Sequence, residues 1–241
     1  MRQQRATEVW LVDLDRWNDA LSVSERQCPR LSHDEGDQIT AIANPAEQVR
    51  RRAAYIARRL VIERMFGPSF RGHPFVHGSA GRPELPKVAT GGDDGGVSLA
   101  HTGRYALIGC CRTGVIGVDI ESPRAVTMDA RRRDMIIAAA SALTAAPLPA
   151  GDGARMLQAW VRLEALAKAD GRGIGHVLAG IGVVGGGGAD AGAATKLMIQ
   201  SALEVCDLDA GPDLYAAVAL SAGTVPPVLF TASCDIERLL S

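Results

Sequence analysis

The sequence predicts an α+β protein made of two lobes of similar build, a pseudodimer. Helix-like and strand-like segments come in blocks rather than in strict alternation, and a similar order of elements recurs in each half of the chain. At roughly 150 residues per domain, a length of 241 residues allows two such lobes. Apolar residues make up 47% and charged residues 22%, enough for a sizeable core and unlike a disordered chain. The expected boundary lies near residue 113, giving an N-terminal lobe over 1–113 and a C-terminal lobe over 114–241.

Residues 9–14 form an apolar, β-rich run that reads as a strand. Ser32 stands three residues before Glu35, the pattern that opens a helix with a reciprocal cap. After Asn44-Pro45 a longer helix is expected to about Phe66, with Val49, Ala53, Ile56, Ala57 and Leu60 on one face and Arg52 and Arg59 along a flanking one. Gly67-Pro68 ends it, and the Gly-, Pro- and polar-rich stretch 72–96 predicts an irregular connection. Three apolar runs at 97–101, 105–111 and 115–120 read as neighbouring strands of a meander. Helices are expected over 131–143 and 154–169, the second stopped by Gly171. Strands are expected over 181–184, 196–201, 215–220 and 228–230.

Lys plus Arg total 26 against 27 for Asp plus Glu, so no global field favours a nucleic-acid backbone or an anionic membrane surface. The chain has no 18-residue apolar run and no signal-like N-terminus, so neither a membrane span nor export is expected. Its five cysteines are scattered and odd in number, which favours a reducing, cytoplasmic setting over a disulfide framework or a zinc site.

Two segments carry candidate chemistry. In Gly117-Val118-Asp119-Ile120-Glu121, strand alternation puts Asp119 and Glu121 on one face and sends Val118 and Ile120 to the core. Paired carboxylates suit a hard divalent cation such as Mg²⁺, while a solvated strand end before Ser122-Pro123 explains them equally well. On the later helix, Trp160, Glu164 and Lys168 fall four apart on one stripe, followed by Gly171-Arg172-Gly173. A plain Glu-Lys surface pair is one reading of that stripe, and a phosphate-binding turn is the other. His101 ends a strand run, where a structural role is the commoner one. Residues 186–191 fit GxGxxA, but the run of glycines from Gly185 to Gly188 suits a hairpin loop better than a dinucleotide turn, and no regular βαβ alternation follows.

Taken together, these segments resemble the 4'-phosphopantetheinyl transferase superfamily in its larger, two-lobed, surfactin-synthetase-activator type. Gly117-Val118-Asp119-Ile120-Glu121 is similar to the family's G-I/V-D-I-E motif. The run Trp160-Val161-Arg162-Leu163-Glu164-Ala165-Leu166-Ala167-Lys168, ending in Gly171-Arg172-Gly173, is similar to W-x-x-K-E-A-x-x-K-x-x-G-x-G. Gly81-Arg82-Pro83 resembles the glycine-lysine-proline motif, 97–102 the strand ending in Ser-His-Ser, and 213–219 the closing strand.

The resemblance implies transfer of the phosphopantetheine arm of coenzyme A to a serine of an apo acyl or peptidyl carrier protein, releasing 3',5'-ADP, by a cytoplasmic monomer holding coenzyme A between its lobes. It implies that Asp119, Glu121 and Glu164 hold Mg²⁺ or Mn²⁺ and that Glu164 takes the serine proton. Lys168 would hold the pyrophosphate and His101 the 3'-phosphate, with Arg59 and Arg82 as further phosphate contacts. The chain departs from the pattern at Leu163, where the family often has Lys, with Arg162 and Arg172 as candidate replacements. Arg82 stands for Lys, and Ser98 and Ala100 for Asn and Ser. These departures also suit a non-catalytic relative that binds coenzyme A or a carrier protein. The runs 50–52 and 131–133, all arginine, would steer an acidic carrier or simply be solvated helix faces.

Overall fold

The computed structural model describes residues 7–78, 82–86, 94–184, 190, 192–224, 227, 229–231 and 239–240. The chain is α+β and divides into two compact units. One comprises Met1–His77, Pro83–Gly114 and Pro227–Ser241, the other Gly78–Arg82 and Val115–Pro226. Instead of a single cut near residue 113, the chain makes a short excursion at 78–82 and its tail returns to the first unit.

The first unit is built on a four-stranded sheet in the order β4-β5-β1-β9. β1 (Thr7–Asp13) lies antiparallel to β5 (Tyr105–Cys111) and parallel to β9 (Leu229–Thr231). β4 (Gly96–Thr102) forms a hairpin with β5, turning at Gly103, whose φ of 53° suits a residue without a Cβ. Val9, Trp10, Leu11 and Val12 are all buried, so both faces of β1 are covered and its apolar run needs no alternation. A short antiparallel pair, β2 (Val76–His77) and β3 (Pro83–Glu84), lies within the stretch expected to be irregular.

Three α-helices and a single 3-10 turn at Pro68–Phe70 precede that hairpin. α1 (Leu14–Gln27) was not expected from the sequence; Leu14 and Leu21 are buried on it, Trp17 packs against the same core, and Glu25 is buried although charged. α2 (His33–Thr40) opens as its sequence predicts: Glu35 N–H donates to Ser32 Oγ at 3.4 Å and Ser32 N–H donates to Glu35 Oε2 at 2.9 Å. α3 (Pro45–Phe66) is capped by Asn44 and buried over most of its circumference from Ala53 to Ile62. Val49, expected on the buried face, is 47% exposed because that face begins one turn later.

The second unit carries an antiparallel sheet in the order β6-β8-β7: β6 (Ile116–Glu121), β7 (Leu203–Leu208) and β8 (Tyr215–Ser221). β6 is therefore not the third strand of a meander with β4 and β5; the 112–114 turn leads it into a different sheet. Between β6 and β7 come α4 (Ala130–Ser141), α5 (Asp152–Asp170), α6 (Ile174–Gly180) and α7 (Ala193–Gln200). Residues 181–184, expected as a strand, form turns after α6, and most of 196–201 belongs to α7. Buried Ala194 and Leu197 lie three apart, a helical spacing that a short apolar run does not reveal. β7 was missed. The glycine run 185–188 lies outside the described residues.

In each unit the first strand pairs antiparallel with the second strand of a later hairpin, β1 with β5 and β6 with β8. No helix among the described residues is long and apolar enough to cross a membrane.

α5 is the centre of the second unit, and Arg162 on it is fully buried. Its Nε and Nη2 donate to the two oxygens of Asp207 on β7 at 2.8 and 2.6 Å, Nη2 also donates to the Ala146 carbonyl at 2.9 Å, and Nη1 to the Ala140 carbonyl at 3.3 Å. One guanidinium thus ties the end of α4, the following loop and β7 to α5. Asp207→Asn keeps the shape but removes the countercharge, and we expect it to destabilise the unit by about 1.5–3 kcal/mol, measured as a lower urea midpoint with unchanged slope.

Candidate functional site

The site is set by a close approach between β6 and α5. A Cβ at Gly117 would stand 2.1 Å from the Ala165 carbonyl oxygen and 2.5 Å from the Ala169 backbone nitrogen. Only glycine allows the strand to lie this close to the helix. Side chains alternate along β6, so Asp119 and Glu121 share the face of Gly117 that meets α5. Val118 and Ile120 are buried on the opposite face. On α5, Glu164 and Lys168 sit one turn apart.

Lys168 Nζ donates to Asp119 Oδ1 at 2.7 Å and to the Val118 carbonyl at 3.2 Å. Glu121 is held from outside by Arg124, whose Nε and Nη2 donate to its two oxygens at 3.1 and 2.8 Å. Among the described residues Glu164 has no hydrogen-bond or ion-pair partner. Burial, followed by the charge of Asp119, raises the Glu164 carboxyl above its ordinary range despite Lys168, and Glu121 adds to the rise. Burial also raises Asp119, where Lys168 opposes the shift and Glu121 reinforces it. Burial and the neighbouring carboxylates thus disfavour the charged forms of both Asp119 and Glu164.

That condition is what a hard cation relieves, and an all-oxygen donor set suits Mg²⁺ or Mn²⁺. The donor chemistry fits such an ion. In this conformation, however, no three His, Cys, Asp or Glu residues among the described ones are drawn together into a ready ligand group. Lys168 and Arg124 supply the positive charge instead.

The other expected residues fall in two classes. Arg82 donates from Nη1 to the Ala169 carbonyl at 2.8 Å, and its guanidinium lies 3.4–3.6 Å from where a Gly171 Cβ would stand. It satisfies a carbonyl that the helix leaves free at its C-terminus and keeps its charge beside the Gly171 turn. His101, on β4 in the first unit, has Nε2 3.9 Å from Glu47 Oε1 and is partly exposed.

Arg59 is the exception. It is 2% exposed, with Nε donating to Glu35 Oε2 at 2.9 Å and Nη1 to the Phe70 carbonyl at 3.1 Å. Its charge is committed inside the first unit and is not offered to a phosphate. The seven-residue spacing from Arg52 could not show this, because spacing gives a helix face but not the carboxylate waiting there.

Neither candidate replacement for a cation at Leu163 is free. Arg162 is spent on Asp207, and Arg172 donates from Nε and Nη2 to Asp170 at 2.7 and 2.8 Å. Leu163 itself is fully buried in the core around α5. Sequence reasoning also missed Arg124, which follows Ser122-Pro123 and reaches back to Glu121. Its position three residues after Glu121 was the available signal.

No family model matches the chain, and no curated protein matches it.

Proposed function

We propose that this protein is a 4'-phosphopantetheinyl transferase, moving the phosphopantetheine arm of coenzyme A to a serine of an apo acyl or peptidyl carrier protein. The observation that carries the reading is the β6–α5 approach at Gly117, which faces Asp119 and Glu121 toward Glu164 and Lys168. The resemblance names those four side chains as the working set of one motif pair. The repeated pairing of a first strand with the second strand of a later hairpin supports a pseudodimer of two similar lobes.

A divalent cation held by Asp119, Glu121 and Glu164 would neutralise charge on the pyrophosphate and on the departing 3',5'-ADP. Glu164, raised by burial and by its carboxylate neighbours, is the stronger base for it and accepts the proton of the carrier serine. The serine oxygen then bonds to the phosphorus of the arm as the bond to the ADP oxygen breaks. Lys168, partly exposed, holds a pyrophosphate oxygen by a charge-assisted hydrogen bond. The 3'-phosphate is the role that the resemblance gives to His101.

Apo carrier proteins incubated with the protein, coenzyme A and Mg²⁺ are expected to gain the mass of one phosphopantetheine. Glu164→Gln should slow that gain by about a hundredfold or more, and chelation should abolish it. A second reading, a relative that binds without transferring, is favoured by the apolar Leu163 and by the commitment of both Arg162 and Arg172 to carboxylates. Coenzyme A binding with no mass gain on any carrier would select it.

A further inference from the structure

Asp119 is the most enclosed carboxylate of the site, its side chain 10% exposed, and its Oδ1 is occupied by Lys168. A divalent cation arriving at the same carboxylate meets the Lys168 ammonium already held on Oδ1, and like charges that close repel strongly where water is excluded. Removing Lys168 from Asp119 without replacement would strand a partly buried ammonium, and giving Lys168 another anion without a cation would strand a buried carboxylate. Each is costly on its own. The Arg124–Glu121 pair differs: Arg124 is 49% exposed, and pairs of that kind open at little cost.

Given the proposed transferase site, we infer that Lys168 is a built-in competitor for the cation, released from Asp119 only when a diphosphate takes its ammonium. Cation and diphosphate then bind as a pair, each weakly without the other, and linkage makes the effect equal in both directions. Lys168 is in this role a gate on Asp119 as well as a phosphate ligand. The gate keeps the metal site charge-balanced until an anionic substrate arrives.

The test measures Mn²⁺ affinity of the full chain by the electron paramagnetic resonance of the free ion. It is run with and without saturating coenzyme A, against protein-free blanks that correct for chelation by coenzyme A. In the wild type, coenzyme A is expected to tighten Mn²⁺ by about tenfold or more. Lys168→Met should bind Mn²⁺ alone about as tightly as the wild type does with coenzyme A, and its own gain from coenzyme A should fall below about threefold. Lys168→Gln gives a second variant, and circular dichroism checks that each is folded.

Equal Mn²⁺ affinity with and without coenzyme A in the wild type would overturn the gate even if the variants misfold. So would folded variants that bind Mn²⁺ no more tightly than the wild type. In either case transfer of the arm could still proceed, and the proposed function would stand. Absence of Mn²⁺ binding even with bound coenzyme A would instead remove the metal site itself, and the gate with it.

Discussion

Gly117→Ala is expected to unfold the second unit or to lower its melting temperature by about 6–12 °C, corresponding to about 3 kcal/mol or more. The added methyl would meet the Ala165 carbonyl and the Ala169 nitrogen, both backbone atoms of α5. Backbone atoms cannot swing aside as the end of a long side chain can, so the strand and helix must separate. Separation breaks the Lys168–Asp119 pair as well as the packing of Ala165 and Ala169. Gly36→Ala is the control: a Cβ there meets nothing within 4 Å, and that glycine lies within α2, so little loss or a small gain is expected. Calorimetry on the two variants and the wild type measures both effects.

Glu35→Gln should cost about 3–5 kcal/mol. Glu35 is 3% exposed and accepts from Arg58 Nη2 at 2.7 Å, Arg59 Nε at 2.9 Å and the Ser32 N–H at 2.9 Å. A neutral amide would leave Arg58 and Arg59, both buried, without a countercharge. Burial alone would raise the Glu35 carboxyl, but the hydrogen bond from Arg59, the two guanidinium charges and the Ser32 N–H together hold it below its ordinary value.

A carboxyl lowered by folding stabilises fully above its unfolded pKa, and the benefit is lost as pH falls through the lower, folded value. The stability gap between wild type and Glu35→Gln should therefore be constant at neutral pH and narrow below about pH 4.3. Urea unfolding across that range reads it. A gap that stays constant into acid would show that Glu35 contributes shape rather than charge.

The elements best legible in the sequence were those with both a period and an end signal. α3 shows a cap at Asn44-Pro45 and a stop at Gly67-Pro68, and α5 has its Gly171 stop, so both were placed closely. α1 does carry a stripe at helical spacing, Leu14, Trp17 and Leu21, but Leu14 reads as the end of the preceding apolar strand, which hides the Asp13 cap that opens the helix. The site was legible as two motifs but not as a geometry. A glycine at 117 is visible in the chain; that its missing Cβ faces the backbone of α5 is not. Likewise Arg162 and Glu164 are near neighbours in sequence, yet one is locked in the interior and the other has no hydrogen-bond partner among the described residues. Side-chain direction on a helix changes by about 100° per residue, and which sector meets a carboxylate such as Asp207 depends on strands far along the chain.

β9 belongs to the first unit's sheet but follows the whole second unit in the chain. During synthesis β4 and β5 emerge well after β1, and once they are available to pair with it the β1 edge that β9 will cover still waits for the intervening chain. At about 5–20 residues per second the wait is on the order of ten seconds. Throughout it the nascent chain presents one unpaired edge of a strand whose residues Val9 to Val12 are apolar, a template for pairing with another copy. Faster translation after Cys111, or a chaperone acting on that edge, should therefore raise the yield of folded protein.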